Sequence, residues 1–339
     1  MKERYGIASA GNWILDITKI IDVYPEQDTL SNISGQSSNN GGAPYNILKD
    51  LAKLKAPFPL YGIGLVGDDE PGKQILEDCK NHTIDTSQIG FTSEAGTSYT
   101  DVMLVKDTGR RTFFHYRGAN ALFDLQHIDL TTLQAKILHL GYLLLLDSLD
   151  DVKNDGRTNA SVLLEQARAL GLITSVDLVS EQRDRFKKII IPSLPYIDIL
   201  FCNEYEAGKL TGMNLSDTNL DLVLVKNAVK HLLNQGINGW VILHFPEGCV
   251  AGNRNGDFIL QGSVNMPKDA ILGTTGAGDA FAAGVLFGIH EDYSMEESLK
   301  IGMRCAASCL TDTSCSDGIV EYDQCIKMTN EYGFSEIII

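Results

Sequence analysis

The chain has 339 residues, 44% of them apolar, and a formal charge of −16 from 28 basic and 44 acidic side chains. That length supports one large α/β domain, or a domain with a small appendage. The acidic balance argues against nonspecific binding to nucleic acid or to anionic membranes. Met1-Lys2-Glu3-Arg4-Tyr5 lacks the apolar core of a signal peptide, and no run approaches the length of a membrane span. Seven irregularly spaced cysteines suit free thiols in a reducing cytoplasm. Cys305, Cys309 and Cys315 would need a fourth ligand to hold a metal, and buried small apolar cysteines are the stronger reading.

Residues 5–11 read as a short first strand ending in a glycine. Asp16 follows closely enough to reach a site at the carboxyl edge of a sheet, where open α/β sheets bind ligands; otherwise it is a turn residue. In Asn39-Asn40-Gly41-Gly42-Ala43-Pro44-Tyr45-Asn46-Ile47-Leu48, paired glycines open a helix and let its backbone come close to a ligand. Ile47, Leu48, Leu51, Ala52 and Leu54 supply its buried face.

Gly62, Gly64 and Gly67 satisfy G-x-G-x-x-G between a strand and a helix, as a dinucleotide site would. Asp68, Asp69 and Glu70 follow at once and would repel a pyrophosphate, so a nicotinamide site is rejected. Residues 97–106 and 111–117 read as two strands joined by the turn Asp107-Thr108-Gly109-Arg110. Arg117 and Asn120 leave this hairpin in position to meet a ligand, with a solvated hairpin as the equal alternative.

From residue 137 strands and helices alternate as in a parallel sheet. Strands are expected at 137–140, 173–177, 197–202 and 239–243, and helices at 160–170, 181–190, 204–210 and 220–235. Asn203, Glu204 and Glu206 directly follow the third strand. They suit water-mediated Mg²⁺ binding, or an ordinary helix start with acids favoured by the dipole.

The most informative stretch is Leu272-Gly273-Thr274-Thr275-Gly276-Ala277-Gly278-Asp279-Ala280-Phe281-Ala282-Ala283-Gly284. A helix starting here directs its unsatisfied N–H groups and positive dipole end at whatever lies over the loop, which favours a phosphate. Asp279 in the first turn can then accept or orient a hydroxyl proton while those N–H groups hold developing charge, as phosphoryl transfer requires. A Gly-rich turn with a dipole-stabilising Asp is the plain alternative. A last helix is expected over 295–310.

Three of these stretches together resemble the ribokinase-like (PfkB) carbohydrate kinases. The family's C-terminal signature, D-T-x-G-A-G-D-x-F, is matched from Thr274 to Phe281. Its G-G-x-x-x-N motif is matched by Gly41, Gly42 and Asn46, and its N-x-x-E element by Asn203 and Glu206. The chain has no P-loop.

The resemblance covers residues 5–318. It implies a single domain over 1–339, with a Rossmann-like, mostly parallel central sheet, helices on both faces, and a small β-lid from about 14–38 and 97–118. It implies ATP-dependent phosphorylation of a small sugar or polyol, with Asp279 as base and Gly276, Ala277 and Gly278 as anion hole. Asp16, Gly41, Gly42, Asn46, Arg117 and Asn120 would face the acceptor. Asn203, Glu206, Thr275 and Gly248 would face ATP, with Glu206 acting on Mg²⁺ through water. A homodimer through the lid is expected to be possible.

Two departures stand out. Gly273 replaces a carboxylate that helps build a monovalent-cation site in many members, which leaves K⁺ activation open. Leu243 and Phe245 replace a polar residue and a glycine near the nucleotide phosphates. Two other readings are a nucleoside kinase, with Trp13 or Phe114 as a stacking wall, and a non-catalytic sugar-binding protein that retains the fold.

Overall fold

The computed structural model describes residues 4–215 and 221–337. In chain order the first elements are β1 (Ile7–Gly11), β2 (Ile14–Ile21), β3 (Ile33–Gly41), α1 (Ala43–Lys53), β4 (Leu60–Gly67), α2 (Glu70–Asn81), β5 (Ile84–Thr92), β6 (Ser98–Val105) and β7 (Arg111–Tyr116). There follow β8 (Ile137–Gly141), α3 (Asp147–Asp150), α4 (Asn159–Ala169), β9 (Ile173–Val176), α5 (Phe186–Ile190), β10 (Ile199–Asn203), α6 (Glu204–Thr211) and α7 (Leu222–Asn234). The chain closes with β11 (Trp240–Phe245), β12 (Gly248–Asn253), β13 (Phe258–Gly262), α8 (Ala277–His290), α9 (Met295–Cys309) and α10 (Tyr322–Tyr332).

Nine strands form the main sheet, in the order β13-β12-β11-β10-β9-β8-β1-β4-β5, parallel from β11 to β5 with β12 and β13 antiparallel at one edge. Helices cover both faces, so the central strands read as continuous buried runs; every residue of β1 and β8 is buried. After β1 the chain builds one way through β4 and β5, and after β8 the other way through β9, β10 and β11. The reversal opens a crevice at the carboxyl ends of β1 and β8, where such sheets take ligands.

A second sheet, β3-β2-β6-β7, stands beside this crevice as a lid. β2 pairs with β3 antiparallel and with β6 parallel. The other wall of the crevice is α8, buried almost all round and pressed onto α9. A Cβ on Gly284 would lie 2.8 Å from the Gly302 Cα, so only small residues allow this approach. No described helix is long and apolar enough to cross a membrane.

Several sequence expectations are corrected in detail. The helix expected over 181–190 begins only at Phe186. The preceding groups are spent on loop contacts: the Tyr205 hydroxyl donates to the Glu181 carbonyl at 3.0 Å, and Arg185 Nε donates to its carboxylate at 2.7 Å. The helix expected over 220–235 runs from Leu222, capped by the Asp221 side chain; residue 220 lies outside the described residues. The antiparallel strands β12 and β13 and the closing helix α10 were not anticipated.

The G-x-G-x-x-G stretch has a packing explanation. Gly62 and Gly64 leave space for the Trp13 indole, since a Cβ on Gly64 would lie 2.1 Å from its ring. Trp13 is fully buried and donates its indole N–H to the Ile63 carbonyl at 2.9 Å. It is therefore core, and cannot serve as the stacking wall of a nucleoside site. Asp69 caps α2, accepting from the Gly72 N–H at 3.0 Å and the Thr97 N–H at 2.8 Å.

Candidate functional site

The site is centred on Asp279, in the first turn of α8 and only 5% exposed. Gly276 caps the helix with φ of 81°, a left-handed conformation natural to glycine. A Cβ there would lie 2.4 Å from the Cys315 carbonyl oxygen. The N–H groups of Gly276, Ala277 and Gly278 have no partner among the described residues and crown the positive end of the helix. A Cβ on Gly278 would meet only the His244 ring, at 3.5 Å. The protein packing does not demand a glycine there.

Burial raises the Asp279 pKa, while hydrogen bonds from Asn46 and Tyr142 pull it back. Asn46 Nδ2 donates to Oδ2 at 2.7 Å. The Asn46 Oδ1 is buried without a partner, leaving an acceptor beside the Asp279 carboxylate. Asn46 sits in the first turn of α1 because Gly42, at φ of 91°, brings the chain against the Asn12 carbonyl, where a Cβ would lie 1.9 Å away.

Asp16, on β2 of the lid, lies against Gly41; a Cβ on that glycine would sit 2.1 Å from its Oδ2. Burial lifts the Asp16 carboxyl to about 7; a Thr100 hydrogen bond opposes this, and the nearby Asp279 charge adds to it. Asp16, Gly41, Gly42, Asn46 and Asp279 thus form one connected group between lid and helix.

The remaining expected residues divide. Asn203 and Glu206 form the capping box of α6: Asn203 Oδ1 accepts from the Glu206 N–H at 2.9 Å, and Glu206 Oε2 from the Asn203 N–H at 3.0 Å. Burial lifts Glu206 to about 7. Gly248 makes the turn between β11 and β12, where a Cβ would meet the Gln261 carbonyl at 2.3 Å. Thr275 precedes the helix cap, and its carbonyl faces the Cys309 thiol at 3.4 Å.

Arg117 and Asn120 are already engaged within the protein. Arg117 Nη1 donates to the Leu144 carbonyl at 2.7 Å and pairs with Asp147 at 3.1 Å. Asn120 is fully buried and clasps the Trp13 backbone, N–H and C=O alike, at 3.2 Å.

The family model for pfkB family carbohydrate kinases matches residues 10–321. The chain belongs to the PfkB carbohydrate kinase family. It is 28% identical over 304 residues to probable fructokinase-6, chloroplastic, of Arabidopsis thaliana, covering 86% of this chain and 74% of that one. It is also 28% identical over 301 residues to an ATP-dependent ribose-1-phosphate kinase of Halopiger xanaduensis, covering 89% and 90%. The fold superposes on Arabidopsis thaliana ribokinase, a structure complexed with ribose and ATP, with a TM-score of 0.79 at 22% identity, over 98% of this chain and 100% of that one.

Within this PfkB kinase, five residues were not picked out from the sequence as part of the site. Tyr142, just past β8, donates its hydroxyl to both Asp279 oxygens at 2.8 Å. Asp177, past β9, is buried, and its pKa is raised by burial and by the charges of Glu206 and Asp279. His244 faces Gly278, and burial holds its pKa down at about 4, so it is neutral at pH 7. Asp50, one turn after Asn46, is fully buried with neither oxygen hydrogen-bonded. Arg111, on the lid strand β7, brings Nη2 to 3.5 Å from the place a Cβ on Gly273 would occupy. Only its position on a strand expected to reach the crevice signalled Arg111; Tyr142 and Asp177 sit at strand ends, the one cue available for them.

The departures are also legible. Leu243 and Phe245 are buried in the apolar core on one face of β11. A side chain at position 273 would collide with the Asp312 carbonyl, 2.7 Å from its Cβ. The backbone of residues 312–313 lies against Gly273, with the Thr313 Cα 3.0 Å from that Cβ position.

Proposed function

We propose that this kinase transfers the γ-phosphoryl group of ATP to a hydroxyl of a small sugar or polyol. The observation that carries the reading is Asp279: a buried carboxylate beside three unpaired N–H groups at a helix N-terminus, facing Asn46 and Asp16 at the sheet's switch point. Asp16 and the open Oδ1 of Asn46 bind acceptor hydroxyls. Asp279 takes the proton of the reacting one, and the N–H groups of Gly276, Ala277 and Gly278 hold charge on the transferring group. A loose transition state asks mainly for such positioning and charge stabilisation.

Thr275, Gly248 and Asn203 would face the nucleotide, and Arg111 would offer the phosphates a cation from the lid. Arg117 and Asn120 act by fixing the joint between lid and core. Among the described residues no group of three or more His, Cys, Asp or Glu could cage a metal. Mg²⁺ would be held mainly by ATP and water, since this ion keeps several waters. Asp177 and Glu206, each carrying a burial-raised pKa, would face it through those waters, and the ion when bound neutralises phosphate charge. The fructokinase and ribose-1-phosphate kinase relatives support a ketohexose or a pentose derivative as acceptor. The whole chain works as one kinase domain, with the lid contributing Asp16. We also infer pairing of two copies through the lid, where Phe113 and Phe114 are exposed.

The test is ADP release with Mg-ATP over a panel of pentoses, hexoses, keto-acid sugars and nucleosides, with and without K⁺. Release that depends on a sugar supports the reading, and indifference to K⁺ accords with the lack of a carboxylate at Gly273. Release with nucleosides alone would contradict the choice of acceptor.

A further inference from the structure

The Tyr142 phenol does to Asp279 what an acceptor must do: it presents a hydroxyl proton to both carboxylate oxygens, at 2.8 Å each. With Asn46 Nδ2 at 2.7 Å, Asp279 is met by two donors, the phenol proton being shared between its oxygens, while only 5% exposed. Little carboxylate surface remains for a further hydroxyl while the phenol stays in place.

Tyr142 is held differently at its two ends. Its backbone N–H donates to the Asn12 side-chain oxygen, and the Asn12 N–H in turn donates to the Gly141 carbonyl at 3.0 Å. Among the described residues its side chain has no polar tie other than Asp279. The phenol's one polar tie among the described residues is thus the tie an acceptor hydroxyl would replace, while the backbone is held at the sheet edge independently of it. Burial and the nearby Asp279 and Asp177 charges raise its own pKa well above the usual range, so it remains a proton donor at working pH. The buried, unpartnered Oδ1 of Asn46 lies ready for a second hydroxyl of the incoming acceptor.

We propose that Tyr142 occupies the acceptor-hydroxyl position in the free protein, and that a polyol binds by displacing it from Asp279. This rests on Asp279 being the base. Tyr142 is then a specificity-determining residue: an acceptor enters only if its hydroxyls replace the phenol on Asp279 and also satisfy Asn46 and Asp16. A ligand with a single hydroxyl replaces one bond by one and gains little, whereas a vicinal polyol gains the others.

The experiment is steady-state kinetics of Tyr142→Phe with D-fructose and Mg-ATP, across pH. Removing the competing hydroxyl should lower the fructose KM by about tenfold, since hydrogen bonds to charged groups are among the stronger ones. In the free enzyme Asp279 loses a donor that stabilises its charged form, so the acid limb of kcat/KM should move to higher pH. The limb of kcat should stay, because the phenol has already left in the complex. A fall in kcat at constant KM, or equal movement of both limbs, would overturn displacement and leave Tyr142 bonded to Asp279 throughout. Asp279→Asn separates this from the underlying reading: if that variant turns over normally, both fall. If it is inactive while Tyr142→Phe matches the wild type, only the displacement falls.

Discussion

Gly276 and Gly278, two positions apart, do different work at the start of α8. Gly276 is required by the protein itself, through its left-handed backbone and the Cys315 carbonyl 2.4 Å from where a Cβ would be. Gly278 has room for a Cβ, with His244 as the nearest neighbour at 3.5 Å. Gly276→Ala should therefore cost about 1–2 kcal/mol or more in stability, seen as a lower Tm. Gly278→Val should keep most of the Tm and lose turnover, because the branched side chain fills the approach to the N–H groups. Equal loss of stability in both, with activity retained per folded molecule, would remove the anion hole from the account. The sequence shows that both are glycines in a loop before a helix, and cannot separate them. What separates them is residue 315, close only in the folded chain.

At the scale of elements, the join between β10 and α6 couples folding to the site. The capping box that starts α6 uses Asn203 and Glu206, and the Asn203 amide also donates to Glu206 Oε1 at 3.0 Å. Glu206 has its pKa raised by burial from 4.5 to about 7. Its protonated form is thus favoured by folding: that contribution is complete below about 4.5 and is lost as pH rises through about 7. The Asn203 backbone N–H and side-chain amide both stabilise the charged form, and a change to alanine removes only the amide. Asn203→Ala should consequently cost ~1 kcal/mol for the cap and more at pH 8 than at pH 5, measured by urea denaturation at the two pH values. A loss independent of pH would show that the Asn203–Glu206 bonds contribute only as a cap.

The same scale shows where sequence reading stops. The strands and helices bearing the three motifs were legible because their glycines and apolar periodicity are local signals. The segment before α5 was read as helix because its composition allows one, yet Arg185 and Tyr205 draw Glu181 into a loop. Trp13 was read as a possible stacking wall because an aromatic near a site cannot be told from a core aromatic until Gly62 and Gly64 are seen beneath it. Tyr142 and Asp177 were not legible as site residues, since neither lies in a motif and both arrive through sheet topology.

For the molecule as a whole, the acidic charge poses a problem that the site addresses locally. A chain at −16 repels ATP in the mean, and at the crevice burial raises the pKa values of Asp16, Asp177, Glu206 and Asp279, which limits the charge they add. Under the proposed function the helix N-terminus and Arg111 would offset what remains, with Mg²⁺ on the nucleotide neutralising phosphate charge. The lid has two free edges, β3 and β7, and β7 carries Phe113 at 57% and Phe114 at 51% exposure. Exposed aromatics beside an unpaired edge favour pairing with another copy. Sedimentation equilibrium should give a dimer that Phe113→Lys, Phe114→Lys converts to monomer; a wild-type monomer at micromolar concentration would end that proposal.

Every part of this account meets at Asp279. The decisive measurement is kcat for Asp279→Asn under saturating Mg-ATP and acceptor, with acceptor binding followed by calorimetry. The account predicts a fall of roughly a thousandfold or more with the fold intact and acceptor still bound. A kcat near that of the wild type would show that the proton leaves by another route and that the buried carboxylate is not the base.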